Sequence, residues 1–244
     1  MMNNKPLKWN LIDWLILIIF AVLLALFFWR FLTPDPAGRQ SFPPGDFSAQ
    51  FWAFTTFEAR ELSTGRLPLW NPYTFAGAPF WADVQSAVFY PPSLLTLLLS
   101  APWGFSLFAL EVEAIAHFWL AATFMYLFVR EITKNRAAAV IGALTFTFSG
   151  YLTGYPSQQL AVLQVDVWLP LILLFIYKAS QRVSESTNNS PVPILLLAGV
   201  AWGMALLAGH PQSYLIVAYM ATAYFFFLWL SGDQGPGVKG QKAR

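Results

Sequence analysis

The chain has 244 residues, 57% of them hydrophobic and 18% aromatic, with only 11% charged and a formal net charge of +2. A soluble domain carries roughly 25% charged residues, and several apolar runs here approach the ~20 residues that span a hydrocarbon core of about 30 Å. This composition excludes an ordinary soluble enzyme, and the absence of cysteine excludes disulfides, thiolate metal sites and a cysteine nucleophile. The fold class expected is an all-α polytopic membrane protein, with about six transmembrane helices and a large first extracytoplasmic loop carrying interfacial helices.

Residues 1–10 carry Lys5 and Lys8 and are expected in the cytoplasm, because lysine and arginine accumulate on that side. A membrane module is expected over residues 11–230. Its first span, Leu11–Leu32, is too long for a signal-peptide core and lacks a small-residue cleavage site. Asp13 in its first turn and Arg30 in its last are read as side chains that snorkel to an interface.

The polar stretch Thr33–Pro92 follows, with Asp35, Asp46, Glu58, Glu61 and Asp83. A loop of this length is usually functional. Pro43-Pro44-Gly45 breaks the chain. Asp46 then stands where a helix N-cap belongs, before FSAQFWAFTTFEAREL and a stop at Gly65. Phe47, Phe51 and Phe54 share one face, with Phe57 and Leu62 beside it, which suggests a helix lying along the membrane surface. The run LPLWNPYTFAGAPFWADVQS is too rich in proline, glycine and aromatics for a regular helix and suits the headgroup layer.

The segment Pro91–Gly104 is apolar but short, and reads either as a span or as a dipping, interfacial segment. The second reading is preferred, because it leaves Arg130, Lys134 and Arg136 on the cytoplasmic side after a span at about Phe105–Val129. Further spans are expected near Ala137–Tyr155, Leu160–Tyr177, Pro193–Gly209 and Ser213–Leu230. Lys178, Arg182, Lys239, Lys242 and Arg244 then fall inside, both termini are cytoplasmic, and residues 231–244 form a flexible tail. The outer face consists of the large loop and the turns Tyr155–Gln159 and Gly209–Gln212.

Ionisable groups within spans are candidates for function. Glu113 and His117 are four residues apart, so they share a helix face. They form a proton relay or a structural hydrogen-bonded pair. Asp166 lies in a later span. Glu111 is near the headgroups and needs no special role. On the outer face, His210 in AGHPQSYL is a solvated turn residue or a substrate contact, with Gln158 and Gln159 on the neighbouring turn. An N-cap role for Asp46 accounts for its position. Cap bonds favour the ionised carboxylate, which suits a metal ligand or electrostatic stabiliser better than a general base. Asp46 and Asp83 together are the only metal pair suggested, for a divalent cation such as magnesium or manganese bound with phosphate oxygens. No nucleotide-binding loop, common hydrolase motif or nucleic-acid-binding motif is present.

The run from PPGDFSAQFW through LPLWNPYTFAGAPFWADVQS resembles the first extracytoplasmic loop of the YfhO-type bacterial membrane protein family. HFWLAATFMYLFVREITKNRAAAVIGALTFTFSGYL is similar to that family's next two spans, and AGHPQSYL to one of its turns. The resemblance covers about Pro44 to Tyr214. It implies a GT-C-type fold, the superfamily of multispanning glycosyltransferases that take a polyprenyl-phosphate-linked sugar as donor and use an acidic residue of the first large loop. Asp46 takes that catalytic position here. Asp83 and His210 match motif positions of less defined role. Relatives in this family have more spans and a C-terminal extramembrane part, so the chain is expected to be an N-terminal portion of such a protein.

The function expected is therefore transfer of a sugar from a polyprenyl-phosphate carrier to an outer glycan, lipid or protein acceptor at the bacterial plasma membrane. Asp46 acts on the acceptor hydroxyl. Asp83, Gln85, Gln159 and His210 contact substrate, while Arg39, Arg60, Arg66 or a metal face the phosphate. A transporter or flippase of a lipid-linked substrate, using Glu113, His117 and Asp166, and a non-catalytic membrane assembly subunit are the alternatives.

Overall fold

The computed structural model describes residues 9–154, 159–184 and 190–231. These residues are helical and contain no β-strand, and one isolated antiparallel bridge joins Asn71 to Ala78. The order is α1 (Leu11–Phe27), α2 (Trp29–Leu32), α3 (Trp52–Ser63), α4 (Pro91–Ser100), α5 (Leu107–Thr133), α6 (Arg136–Thr147), α7 (Gly150–Thr153), α8 (Leu160–Asp166), α9 (Leu169–Ser184), α10 (Val192–Leu207) and α11 (Pro211–Leu230). Lys5, Lys8, Gln158 and the basic tail lie outside the described residues.

Among the described residues three helical runs are long and apolar enough to cross a membrane: Leu107–Thr133, Leu160–Val183 and Pro211–Leu230. Leu11–Phe27 and Val192–Leu207 are apolar but have 17 and 16 residues, short of the ~20 that span a bilayer core untilted. The expected run 137–155 is interrupted after Thr147, where Ser149 starts α7 by accepting from the Leu152 amide at 3.2 Å. Leu160–Val183 is broken between α8 and α9. The break follows from Pro170, which has no N–H to offer the carbonyl of Asp166 and whose ring crowds it.

The long helix α5 is the centre of the molecule, packed against α1, α4, α6, α8 and α9, while α9 also packs on α10 and α11. Ser106 caps its start, accepting from the Ala109 amide, and Lys134 ends it in the left-handed conformation. Alanines at 114, 121 and 122 on α5, and at 139 and 143 on α6, are buried and admit close helix contact. Phe28, Phe118, Phe42 and Phe47 continue the core toward the large loop.

Asp13 does not snorkel. It is fully buried and forms ion pairs with Arg130 at 2.8 Å and Arg136 at 2.9 Å. It also accepts from the Tyr126 hydroxyl at 2.6 Å and the Asn10 amide at 2.9 Å. The start of α1, the end of α5 and the start of α6 are thereby held at one end of the bundle. Glu111 also has more than an interfacial place. It is buried and accepts from the Phe42 amide at 3.2 Å, tying the loop to the opposite end of α5.

Between these ties the chain dips into the bundle and returns. Tyr90 meets His117 and Ser93 meets Glu113, after which the chain turns through Ala101–Phe105 into the start of α5. The segment α4 therefore runs antiparallel to the first turns of α5. At 1.5 Å per residue, His117 lies about 15 Å along α5 from its start. Removing one member of a buried ion cluster strands the others, at a typical cost of about 3–5 kcal/mol. Asp13→Ala is expected to lower thermal stability in detergent by this order, and Asp13→Asn by less because it keeps a hydrogen-bonding amide for Tyr126.

Candidate functional site

The candidate site is a polar ledge where the large loop meets the ends of α8 and α10. Asp46 does not cap a helix through its side chain. It already has helical dihedrals, φ −59° and ψ −29°, because the Gly45 carbonyl accepts from the Ser48 and Ala49 amides. The helix starts before Asp46, so the carboxylate is free of backbone N–H groups. It accepts instead from the Gln159 side-chain amide at the start of α8. Asp46 is exposed. A π-helical turn, Phe47–Phe51, follows it directly; such turns widen a helix locally and are frequent at functional sites.

One turn beyond Asp46, the Gln50 side chain donates to the Gln85 side-chain carbonyl at 2.9 Å. Asp83 is exposed and caps a short 3-10 turn, accepting from the Gln85 amide at 2.9 Å. The backbone at Val84–Ala87 packs on Gly209, where an added Cβ would strike the Val84 carbonyl. Gly209 also has φ +82°, so glycine is required there on two counts. His210 caps α11. Its Nδ1 accepts from the Ser213 amide at 3.2 Å, so the ring proton sits on Nε2. Partial burial lowers its pKa below that of a free histidine and keeps the ring neutral. Contacts thus join Asp46 to Gln159, and Gln50 through Gln85 to Asp83, while His210 follows the glycine that packs on Val84.

The arginines are elsewhere. Arg60 ends α3, about 20 Å from Asp46 at the helical rise of 1.5 Å per residue. With Thr56, Ser63 and Leu97 it lines a separate cleft of about 510 Å³ between α3 and α4. Arg66 is paired with Glu61 through two hydrogen bonds of 2.9 and 3.1 Å. Arg39 donates to the Thr33 carbonyl at 3.1 Å and lies 3.9 Å over the Phe108 ring. Two of the three are thus held by partners of their own, Arg39 by the Thr33 carbonyl and Arg66 by Glu61. No group of three carboxylates and histidines is placed to hold a metal among the described residues.

The polar residues of the candidate spans form two separate sets. Glu113 accepts from Ser93 at 2.6 Å and Gln164 at 2.7 Å, while its second oxygen is buried without a partner among the described residues. The His117 Nδ1 bonds the Glu113 backbone carbonyl at 2.8 Å, so Nδ1 carries the proton. Nε2 is bonded to the Tyr90 hydroxyl at 2.8 Å, which accepts from the Trp168 indole at 2.9 Å. The Glu113 carboxylate and the His117 ring are thus each bonded to other groups, Ser93 and Gln164 for the first and Tyr90 for the second. Asp166 is bonded to the Tyr151 hydroxyl at 2.9 Å, away from both.

Sequence reasoning missed Glu58, Tyr90 and Gln164. Glu58 faces inward from α3, is 3% exposed, and has one oxygen without a partner among the described residues. Its spacing from Phe51 and Phe54 on the helix was the available signal. Phe47, Phe51 and Phe57 are buried in the protein, so the π turn and α3 turn this aromatic face inward. No family model, curated protein or solved structure matches the chain.

Burial, reinforced by the nearby Glu113 carboxylate, pushes the Glu58 carboxyl from 4.5 up to about 8. Between these values the unfolded chain gives up a proton that the folded chain keeps, so stability falls as pH rises from about 4.5 to about 8. Glu58→Gln is expected to remove this decline and raise the melting temperature at pH 8, as read from thermal melts across that range.

Proposed function

We propose that the chain is the GT-C-type module of a bacterial membrane glycosyltransferase, in which Asp46 activates an acceptor hydroxyl toward a polyprenyl-phosphate-linked sugar. The observation that carries this reading is the state of the loop carboxylates. Asp35 and Asp83 cap backbone amides, Glu61 is paired with Arg66, and Glu58 is buried. Asp46 is exposed, makes no cap, and is oriented by a side chain from the helical body. A general base needs a positioned carboxylate with an oxygen left for the acceptor. Asp83 also keeps one, but its cap holds it within its own loop, whereas Asp46 is set against the helical body. The resemblance of the Pro44–Tyr214 stretch to YfhO-type proteins supports the same assignment.

In this proposal the module crosses the plasma membrane about six times, with the shorter helices tilted or extended by their flanks. The Asp13 cluster lies at the cytoplasmic end and the Asp46 ledge at the outer end. Asp46 removes the acceptor proton as the acceptor oxygen attacks the anomeric carbon, the carrier phosphate leaves, and configuration inverts. The His210 Nε2–H, rather than Arg60 or Arg66, serves the donor side. A divalent cation, if used, would draw on Asp46 and Asp83 with phosphate oxygens. The transporter reading loses support because His117 donates to a backbone carbonyl and Asp166 is bonded elsewhere.

The test uses the protein in lipid nanodiscs with a radiolabelled polyprenyl-phosphate sugar and a mixed acceptor pool. Asp46→Asn is expected to cut transfer by about 10²–10⁴-fold, the usual share of a general base, without loss of donor binding. Gln159→Ala is expected to lower the rate less. A folded Asp46→Asn protein with full activity would overturn the assignment.

A further inference from the structure

Beside the ledge, α3 and residues 71–85 enclose a groove of about 720 Å³, within the size range of small-molecule sites. Phe54, Phe57 and Phe80 make its apolar floor, with ring centroids 5.4 and 4.9 Å apart. Tyr73 and Phe75 line it while remaining 75% and 93% exposed. So large an exposure of phenylalanine needs a cause.

The loop is built to hold Phe75 there. Asn71 and Ala78 close it through two backbone hydrogen bonds of 2.8 and 2.9 Å. The Asn71 side chain accepts from the Tyr73 amide and donates to Thr74. Phe75 and Ala76 have φ of +52° and +60°, and Gly77 has +115°. Two successive non-glycine residues in the left-handed region are costly, and such strain persists where the surroundings enforce it, often at binding sites. Trp70 supplies part of the enforcement, its ring lying against Gly77 so closely that a Cβ would come within 2.7 Å of it.

The polar lining is equally specific. The second Asp83 oxygen, the Gln50 carbonyl and the Gln85 NH₂ have no partners among the described residues. They offer two acceptors and a donor beside aromatic faces. A pyranose matches this set, since its C–H face packs on aromatic rings while its hydroxyls both donate and accept. A quaternary ammonium would suit the rings and Asp83, but it has no use for two amides. An acyl chain would bury all three polar groups without partners.

We propose that this groove is a saccharide-binding site for an uncharged pyranose, with Phe75 and Tyr73 as stacking surfaces and Asp83, Gln50 and Gln85 as the hydroxyl partners. The assignment does not depend on Asp46 being a catalytic base.

The experiment is saturation-transfer NMR on the full chain in nanodiscs, irradiating aromatic protons. The probes are the methyl pyranosides of glucose, galactose, mannose and N-acetylglucosamine, with tetramethylammonium as comparison. At least one pyranoside is expected to receive saturation, strongest at its ring C–H protons. Its affinity is expected to fall about tenfold in Phe75→Ala, a change on the scale of one aromatic contact. A similar loss is expected in Asp83→Asn, which retains an oxygen for the Gln85 cap. Asp46→Asn is expected to bind as the wild type does, so loss of transfer and loss of this site are read separately. Saturation of none of the pyranosides, of tetramethylammonium alone, or of pyranosides equally in wild type and both variants overturns the proposal.

Discussion

The buried Asp13 carboxylate is the constraint on which the arrangement rests. Two guanidinium groups, a phenol and a backbone amide converge on it, and the Trp9 ring lies 5.3 Å from the Arg130 guanidinium. Charges this deep persist only when their hydrogen-bonding capacity is met. The cluster therefore sets the pairing of α1 with α5 and α6 more sharply than apolar contacts, which tolerate sliding. With that end fixed, antiparallel α1 and α5 place the loop at the opposite end, where Glu111 holds it through Phe42.

The return of the loop into the bundle follows from the same accounting of polar groups. Non-helical backbone at such depth is tolerated only where protein surrounds it. Tyr90 is fully buried there, and its hydroxyl joins the Trp168 indole to His117. Ser93, Glu113 and Gln164 form a second joint one helical turn away. These joints make α4 part of the wall of α5. An apolar cleft of about 990 Å³ lies between the two, with Glu113 and His117 among its lining.

The ledge then inherits its shape from two anchored bodies. The helix after Gly45 carries Asp46 and Gln50, and the short turns at Phe80–Ser86 carry Asp83 and Gln85. Gly209 and Gln159 bring the ends of α10 and α8 to them. Most of the loop's other charges are used locally, as in Arg66 with Glu61, which leaves a surface governed by amides and aromatic rings. Such a surface selects by hydrogen-bond pattern and shape more than by net charge.

By itself the sequence determined the helical class, the apolar runs, the long polar loop and the breaks at Pro43-Pro44-Gly45 and Gly209. These are local consequences of hydropathy, proline and glycine, and they need no partner to be read. Tertiary structure alone decided what each charged residue does. Asp13 reads as interfacial until the end of α5 and the start of α6 bring Arg130 and Arg136 to it. Asp46 reads as a cap until the Gly45 carbonyl is seen to begin the helix earlier. Glu113 and His117 share a face, yet Ser93, Gln164 and Tyr90 from other segments take their side chains. Arg60 and Asp46 belong to one loop, but a rigid helix holds them about 20 Å apart. For Asp13, Glu113 and His117 the physical reason is the same: a polar side chain's state is set by the donors and acceptors around it, and those come from distant parts of the chain.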